Sequence, residues 1–313
     1  MNHRQLVIAI LGPTASGKSE VAQRVALKLD GEVVSADSMQ VYRSMDIGTA
    51  KLKPSEQLVP HHLIDILDPG EAFSAQLFQQ LSRKAFDEIA QRGKVPILCG
   101  GTGLYVQAAL EDMRFPKGDQ LHNATREKYE RLAQEQGNQV VWDILHRLDP
   151  ESAHLLHVNN VRRVIRALEM HEQGISYAQQ VKNIRCLPEV VPSLRFGLSR
   201  TPELLAQRIN KRVDTMFEQG LVKEVADLLQ RGFRSALTAP QAIGYKEVVA
   251  YLDGACSLEE AAEHIKTATR RYAKRQRTWL RRDSRLTMLD ADTLTIDQIV
   301  ERIVERYTKA SKL

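Results

Sequence analysis

Three cysteines in 313 residues, Cys99, Cys186 and Cys256, are too widely separated to suggest a disulfide framework, and no CxxC pair points to a zinc site. Three reduced, mostly buried thiols are expected. No stretch approaches the roughly 18 consecutive apolar residues that a membrane helix needs. Internal repeats and low-complexity segments are also missing. With 43% hydrophobic and 27% charged residues, the composition excludes wholesale disorder. Nor is there a large surplus of one charge, since the formal net charge is only +5. Its distribution is uneven, however. Between Arg270 and Arg285 lie Arg270, Arg271, Lys274, Arg275, Arg277, Arg281, Arg282 and Arg285, against Asp283 alone. A local excess of this kind suits a polyanionic partner.

Gln5 to Leu11 is an uninterrupted apolar run of strand length, stopped by Gly12-Pro13. Its length alone would also fit a secretory leader, but a phosphate loop follows it and not a cleavage site. It therefore reads as a buried parallel strand, and the cytoplasm is the expected location. Apolar residues at Val21, Ala22, Val25, Ala26 and Leu29 give helical spacing from Lys18 to Leu29. Strands are expected at Glu32–Ala36, His62–Leu67 and Val95–Cys99, with an amphipathic helix over Ser74–Arg92. This alternation predicts an α/β fold: a P-loop parallel sheet flanked by helices. From about 115 to 188 the pattern becomes helical and highly charged, with no buried strand. Ser193–Leu198 reads as one more strand, and the remainder as helical to the C-terminus. The expected organisation is a catalytic core formed by 1–114 and 189–313, with an all-helical insertion domain over 115–188.

Gly12-Pro13-Thr14-Ala15-Ser16-Gly17-Lys18-Ser19 fits GxxxxGK[ST] in full, between a predicted strand and a predicted helix. Glycines let the backbone curl so that its amides point at phosphate oxygens, and the helix N-terminus adds partial positive charge. Lys18 is suited to terminal phosphate oxygens, and the Ser19 hydroxyl to a Mg²⁺ shell. Such a cradle serves a kinase as well as it serves an enzyme for which diphosphate is the leaving group. Asp37 follows the second strand, on the sheet edge where ligands of such folds collect. It is either a general base or the N-cap of a helix, with Gln40 completing a capping box. Gly100-Gly101-Thr102-Gly103 follows the fourth strand and permits close backbone approach to a ligand, with Thr102 supplying a hydroxyl. His61, His62 and Asp65 do not make a convincing metal site, because an adjacent pair diverges and no third ligand is evident.

Together these segments resemble the tRNA dimethylallyltransferase family, also called tRNA isopentenyltransferases. The matching pieces are GPTASGKS at Gly12–Ser19, DSMQVY at Asp37–Tyr42, DIGTAK at Asp46–Lys51, HHLID at His61–Asp65 and GGTGLY at Gly100–Tyr105. They continue with NNVRRVIRALE at Asn159–Glu169, IGYKE at Ile243–Glu247 and KRQRTWLR at Lys274–Arg281. The resemblance spans nearly the whole chain in the family's order and is to the bacterial type, without the zinc-finger extension of eukaryotic relatives. Many members carry Thr where this chain has Ser19, and either hydroxyl suits Mg²⁺.

The resemblance implies transfer of a dimethylallyl group from dimethylallyl diphosphate to the exocyclic N6 amine of the adenosine immediately 3′ of the anticodon, in tRNAs reading codons that begin with U. It implies Asp37 as the base and Thr102 at the reaction centre, with the loop Gly12–Ser19 and Mg²⁺ on the diphosphate. An arginine clamp on that diphosphate is implied as well, Arg212 or, one turn away, Arg208. The implied partner is the tRNA anticodon stem-loop, contacted by Asp37, Ser38, Met39 and Gln40, with Gln40 placed to read the extruded base. Further implied contacts are Arg126, Asn159, Asn160, Val161, Arg162 and Arg163 in the insertion, and Ile243, Gly244, Tyr245 and Lys246, with Tyr245 either stacking or packed in the core. The last are Lys274, Arg275, Gln276, Arg277, Thr278, Trp279, Leu280 and Arg281. Of these, Lys274, Arg277 and Arg281 extend from Arg270 at helical spacing, a stripe that suits phosphates. A monomer is the simplest expectation. Two other readings stay open at this point: a P-loop small-molecule kinase, and an RNA-binding protein with a regulatory nucleotide pocket.

Overall fold

The computed structural model describes residues 6–115, 124–184, 187–236 and 238–312, so Gln5 and Cys186 lie outside the described residues. Contacts divide the chain into two units, Met1–Leu110 with Val190–Leu313, and Glu111–Glu189.

The first unit opens with β1 (Val7–Leu11), the phosphate loop, α1 (Lys18–Leu29) and β2 (Gly31–Ala36). A short β3 (His61–His62), α2 (Ala75–Gln91), β4 (Val95–Gly100) and α3 (Gly103–Leu110) follow. The second unit contains α4 (Ala124–Gln136), α5 (Asn138–Leu148), α6 (Pro150–His154), α7 (Val161–Glu172) and α8 (Tyr177–Ile184). Its own core gathers Tyr129, Val141, Leu145, Leu156, Ile165 and Leu168.

The chain then returns to the first unit with β5 (Ser193–Ser199), α9 (Pro202–Glu218), α10 (Leu221–Gln230), α11 (Tyr245–Leu252), α12 (Leu258–Leu280), β6 (Leu286–Asp290) and α13 (Ile296–Ala310). All strand pairs are parallel and the order is β3-β2-β4-β1-β5-β6. Lying between β4 and β5, β1 is covered on both faces, which is why it is apolar at every position. Successive side chains alternate between the faces. Val7, Ala9 and Leu11 join the core shared with α2, α3 and α9–α12, while Ile8 and Ile10 join the one under α1 and α13.

Two expectations need correction. The strand expected over His62–Leu67 ends after His62, because Leu63 (φ 61°) and Asp65 (φ 54°) take left-handed conformations that no strand accommodates. Leu286–Asp290, expected within helix, is an edge strand beside β5. Only Leu289 of that strand is buried, so it shows neither a continuous apolar run nor a clear alternation.

The link that fastens the end of α12 to the sheet is ionic. Arg195 of β5 contacts Asp283 at 2.7 Å, with side chains 1% and 8% exposed. Burial alone would push the Asp283 carboxyl up, but hydrogen bonds from Arg285 and Arg195 outweigh it and hold the group below its ordinary value. Asp283→Ala is therefore expected to destabilise the chain by about 3 kcal/mol at neutral pH, because the carboxylate compensating a buried guanidinium is gone. This contribution is fully present above the ordinary carboxyl value of 3.8 and is lost as pH falls through the depressed one. In urea unfolding, the gap between wild type and variant should close on acidification, and a gap that persists would assign the effect to packing.

Candidate active site

Where β1 ends, the chain curls instead of continuing. Gly12 N–H donates to the Gly100 carbonyl (3.2 Å) and Ser16 N–H to that of Pro13 (3.2 Å). Left-handed backbone at Ala15 (φ 62°) and Gly17 (φ 98°) reverses the direction into α1. Gly17 caps that helix without any side-chain hydrogen bond, so the first amides of α1 are left for an anion. Two arginines hold the loop through its carbonyls: Arg208 Nε donates to Ala15 O (2.8 Å) and Arg200 Nε to Ser16 O (3.0 Å). Arg212 donates to Thr14 Oγ1 and to the Thr49 carbonyl, both at 3.3 Å. Gln276 closes the arrangement, its Oε1 accepting from Thr14 N–H (2.8 Å) and its Nε2 donating to Gly101 O (3.0 Å).

Two cavities meet here. One, about 260 Å³, is lined on its apolar side by Met39, Ile209, Val213, Met216, Ile243 and Ile265, and it also carries Ser38, Tyr272 and Arg275. The other contains Lys18, Ser19, Gln40, Cys99 and Gly100. Thr14, Asp37, Thr49 and Arg212 line both, so a carboxylate and a guanidinium stand at the junction of a phosphate-type cavity and an apolar one. Burial depresses Lys18, opposed by Cys99 and Asp37 and reinforced by Arg212. Burial also pushes the Cys99 thiol up to about 11, keeping it neutral. Arg212 is lowered by burial, with Asp37 acting the other way.

Asp37 directly follows β2, and its Oδ1 accepts from Met39 N–H (2.9 Å). The segment that follows is a turn and not a helix, so the capping alternative falls. Thr102 Oγ1 is buried just before α3, beside the Tyr272 phenol. Arg212 lines both cavities, whereas Arg208 binds the Ala15 carbonyl and lines, with Arg212, a separate open hollow beside Gly17, Lys18 and Ser19.

Several residues expected to contact RNA do other work. Gln40 accepts from Ser35 Oγ (3.0 Å) and donates to the Thr49 carbonyl (3.3 Å), contacts that fix its amide where it lines the phosphate-type cavity. Tyr245 is fully buried, its hydroxyl donating to Glu224 (2.6 Å), which makes it core and not a stacking platform. Gly244 is also buried, while Lys246 is exposed. On α12, Gln276 and Leu280 are buried and Trp279 packs against Gly103, because these positions share the helix face turned to the loops. Lys274, Arg275, Thr278 and Arg281 are exposed. Arg270, Lys274, Arg277 and Arg281 line a groove between α9 and α12. In the second unit Arg126 is bound to Glu169 (2.8 Å), whereas Asn159, Arg162 and Arg163 are exposed and Val161 packs on that unit's core. Asn160 caps α7 without a side-chain bond. His61 contacts the Val59 carbonyl (2.8 Å), and His62 contacts Glu32 (2.6 Å).

The sequence reading missed Arg200, Thr49 and Tyr272. Arg200 directly follows the strand beside β1, a position that should have drawn attention. Tyr272 shares a face with Gln276 and Trp279 at helical spacing, the signal that would have found it.

Comparison with known proteins identifies the family. The family model described as IPP transferase matches residues 40–283, and that described as isopentenyl transferase matches residues 5–61. A tRNA dimethylallyltransferase of Carboxydothermus hydrogenoformans is 46% identical over 302 residues, 95% of this chain and 96% of its own. One from Bacillus cytotoxicus is 50% identical over 284 residues, 89% and 88% of the two chains. Among solved structures, a tRNA isopentenylpyrophosphate transferase of Staphylococcus epidermidis superposes with a TM-score of 0.73 at 39% identity, covering 98% of this chain and 99% of its own. A eukaryotic dimethylallyltransferase acting on tRNA gives a TM-score of 0.78 at 29% identity over 95% of this chain and 78% of its own.

Proposed function

The chain belongs to the tRNA dimethylallyltransferase family, the IPP transferases, and from that premise we propose how its side chains divide the work of prenyl transfer. The donor is dimethylallyl diphosphate, and the acceptor is the exocyclic N6 amine of the adenosine 3′-adjacent to the anticodon, in tRNAs that read codons beginning with U. A single observation carries the assignment: Asp37 and Arg212 stand where the phosphate-type cavity opens into the apolar one.

The diphosphate lies against the amides of Gly12–Ser19, with Lys18 and Arg212 as its cationic partners. The five-carbon group extends into the junction. An adenine amine is a weak nucleophile because its lone pair is delocalised into the ring. As N6 bonds to the allylic carbon, the carbon–oxygen bond to diphosphate breaks and Asp37 accepts the amine proton. Lys18, Arg212 and the loop amides take up the charge arriving on the departing diphosphate. The buried Thr102 hydroxyl and the neighbouring Tyr272 phenol are left to orient the acceptor.

Magnesium suits the same place. The Ser19 side chain opens on the cavity that also holds Lys18 and Asp37, and an oxygen donor beside a phosphate cradle fits a cation that keeps waters and substrate oxygens in its shell. Bound there, it would supply further charge compensation for the leaving group. Exposed Arg162 and Arg163 in the 111–189 unit, and the groove lined by Arg270, Lys274, Arg277 and Arg281, are surfaces for tRNA phosphates. No helix among the described residues is long and apolar enough to cross a membrane, and a tRNA-modifying role fits the cytoplasm.

The test is to incubate the protein with labelled dimethylallyl diphosphate, Mg²⁺ and unmodified tRNA, with labelled ATP in parallel. Label is expected in the tRNA and not in a phosphorylated product. ATP turnover without tRNA labelling would replace this reading with a kinase.

A further inference from the structure

Glu224 belongs to no recognisable motif and lines neither cavity, yet its carboxylate receives an unusual set of donors. From the first turn of α10 it reaches the loop after β2. There Oε2 accepts from the amides of Asp46 (3.0 Å) and Ile47 (2.8 Å). Oε1 accepts from the Gly48 amide (3.2 Å) and the Tyr245 hydroxyl (2.6 Å). Three consecutive amides turned on one anion form a backbone nest of the kind that usually binds a ligand. Here the occupant is the protein's own carboxylate. Gly48 belongs to the fit, since a Cβ there would stand 2.4 Å from the Tyr245 ring. Ring and carboxylate together set how closely the loop approaches.

What the loop carries next is functional. The carbonyl of Thr49 accepts from Arg212 and from Gln40, both at 3.3 Å. Beyond it Lys51, with its side chain 3% exposed, binds Asp46 and Asp65 at 2.6 Å each and anchors the far end of the segment. The backbone between these anchors can therefore take up little displacement without moving the Thr49 carbonyl.

We infer that Glu224 is a positioning residue for the transfer: by gripping the amides of residues 46–48 it sets the Thr49 carbonyl, and through it the Arg212 guanidinium against the diphosphate. The inference rests on the transfer reading above. An ionised carboxylate is needed because it offers acceptor lone pairs to all four donors. A carboxamide keeps one acceptor oxygen and turns an NH₂ donor toward the nest.

Glu224→Gln is expected to weaken binding of inorganic diphosphate and raise the KM for dimethylallyl diphosphate, each roughly tenfold, about the size of one lost charge-assisted hydrogen bond. The KM for tRNA should change less than about twofold. If Glu224 acts through Arg212, its effect disappears when Arg212 is already altered, so Glu224→Gln/Arg212→Lys should be little worse than Arg212→Lys alone. Effects that multiply, or an unchanged diphosphate affinity, would overturn the inference. Should Glu224→Gln fail to fold, Gly48→Ala displaces the same loop by driving a methyl against the Tyr245 ring and should produce the same donor defect. A wild type that binds diphosphate but labels no tRNA would instead sink the transfer reading, which the diphosphate titration does not depend on.

Discussion

Asp37→Ala is expected to lower prenyl transfer about 10³-fold while leaving donor affinity unchanged or slightly improved. Asp37 is the carboxylate present where the two cavities join, and Lys18 and Arg212 flank it. Removing its negative charge makes the site more attractive to diphosphate, so any loss must fall on the chemical step. In the terms of mutant kinetics, kcat falls and the donor dissociation constant does not rise. Asp37→Asn sharpens the test. The amide oxygen can still accept from Met39 N–H, as Asp37 Oδ1 does at 2.9 Å, so the turn after β2 is kept while the basic group is lost. Single-turnover transfer at saturating donor and tRNA, read beside equilibrium binding of the donor, distinguishes the outcomes. A carboxamide variant that transfers at the wild-type rate would remove Asp37 from the role of base. Parallel loss of donor binding would reassign it to the diphosphate subsite.

The parts of this site that could be read from the sequence are those that local chemistry writes into adjacent residues. The phosphate loop is legible because an apolar run, a glycine turn and a helical period follow one another, and α1 begins at Lys18 as that pattern requires. Asp37 and Thr102 are legible because each lies one or two residues beyond a strand end, on the ligand-binding edge of a parallel sheet. What escaped was held by contacts across long stretches of chain. Gln276 binds Thr14 from 262 residues away, and Glu224 binds Ile47 from 177. No local pattern in the sequence names either distant partner. Motif matching also assigns a segment one role, whereas a helix divides its residues by face. Lys274 and Arg281 are exposed on α12, but Gln276 and Leu280 turn inward. The same limit applies to Tyr245, where the neighbouring Ile243 lines the apolar cavity and the tyrosine itself fills the core. β6 was missed because an edge strand with one buried residue carries almost no pattern.

Lys18→Met should cut transfer about 10²-fold through lost stabilisation of the departing diphosphate, and should also change how donor binding depends on pH. Burial holds Lys18 below its ordinary value of 10.5. With rising pH the free protein therefore loses this positive charge earlier than an exposed lysine does, and donor affinity falls across that alkaline range. A bound diphosphate favours the charged form and moves the group back up. Between the depressed value and the restored one, binding must take up a proton. The neighbours do not obscure the effect. Cys99 is pushed up to about 11, and burial raises the phenols of Tyr105 and Tyr272. Arg212, although lowered by burial, is a guanidinium and stays protonated. Calorimetric titration with dimethylallyl diphosphate in buffers of different ionisation enthalpy should report proton uptake at alkaline pH for the wild type and none for Lys18→Met. Equal uptake in both would mean that another group titrates on binding. No uptake in either would mean that Lys18 already holds its proton in the free protein, and that the loop meets the donor fully charged.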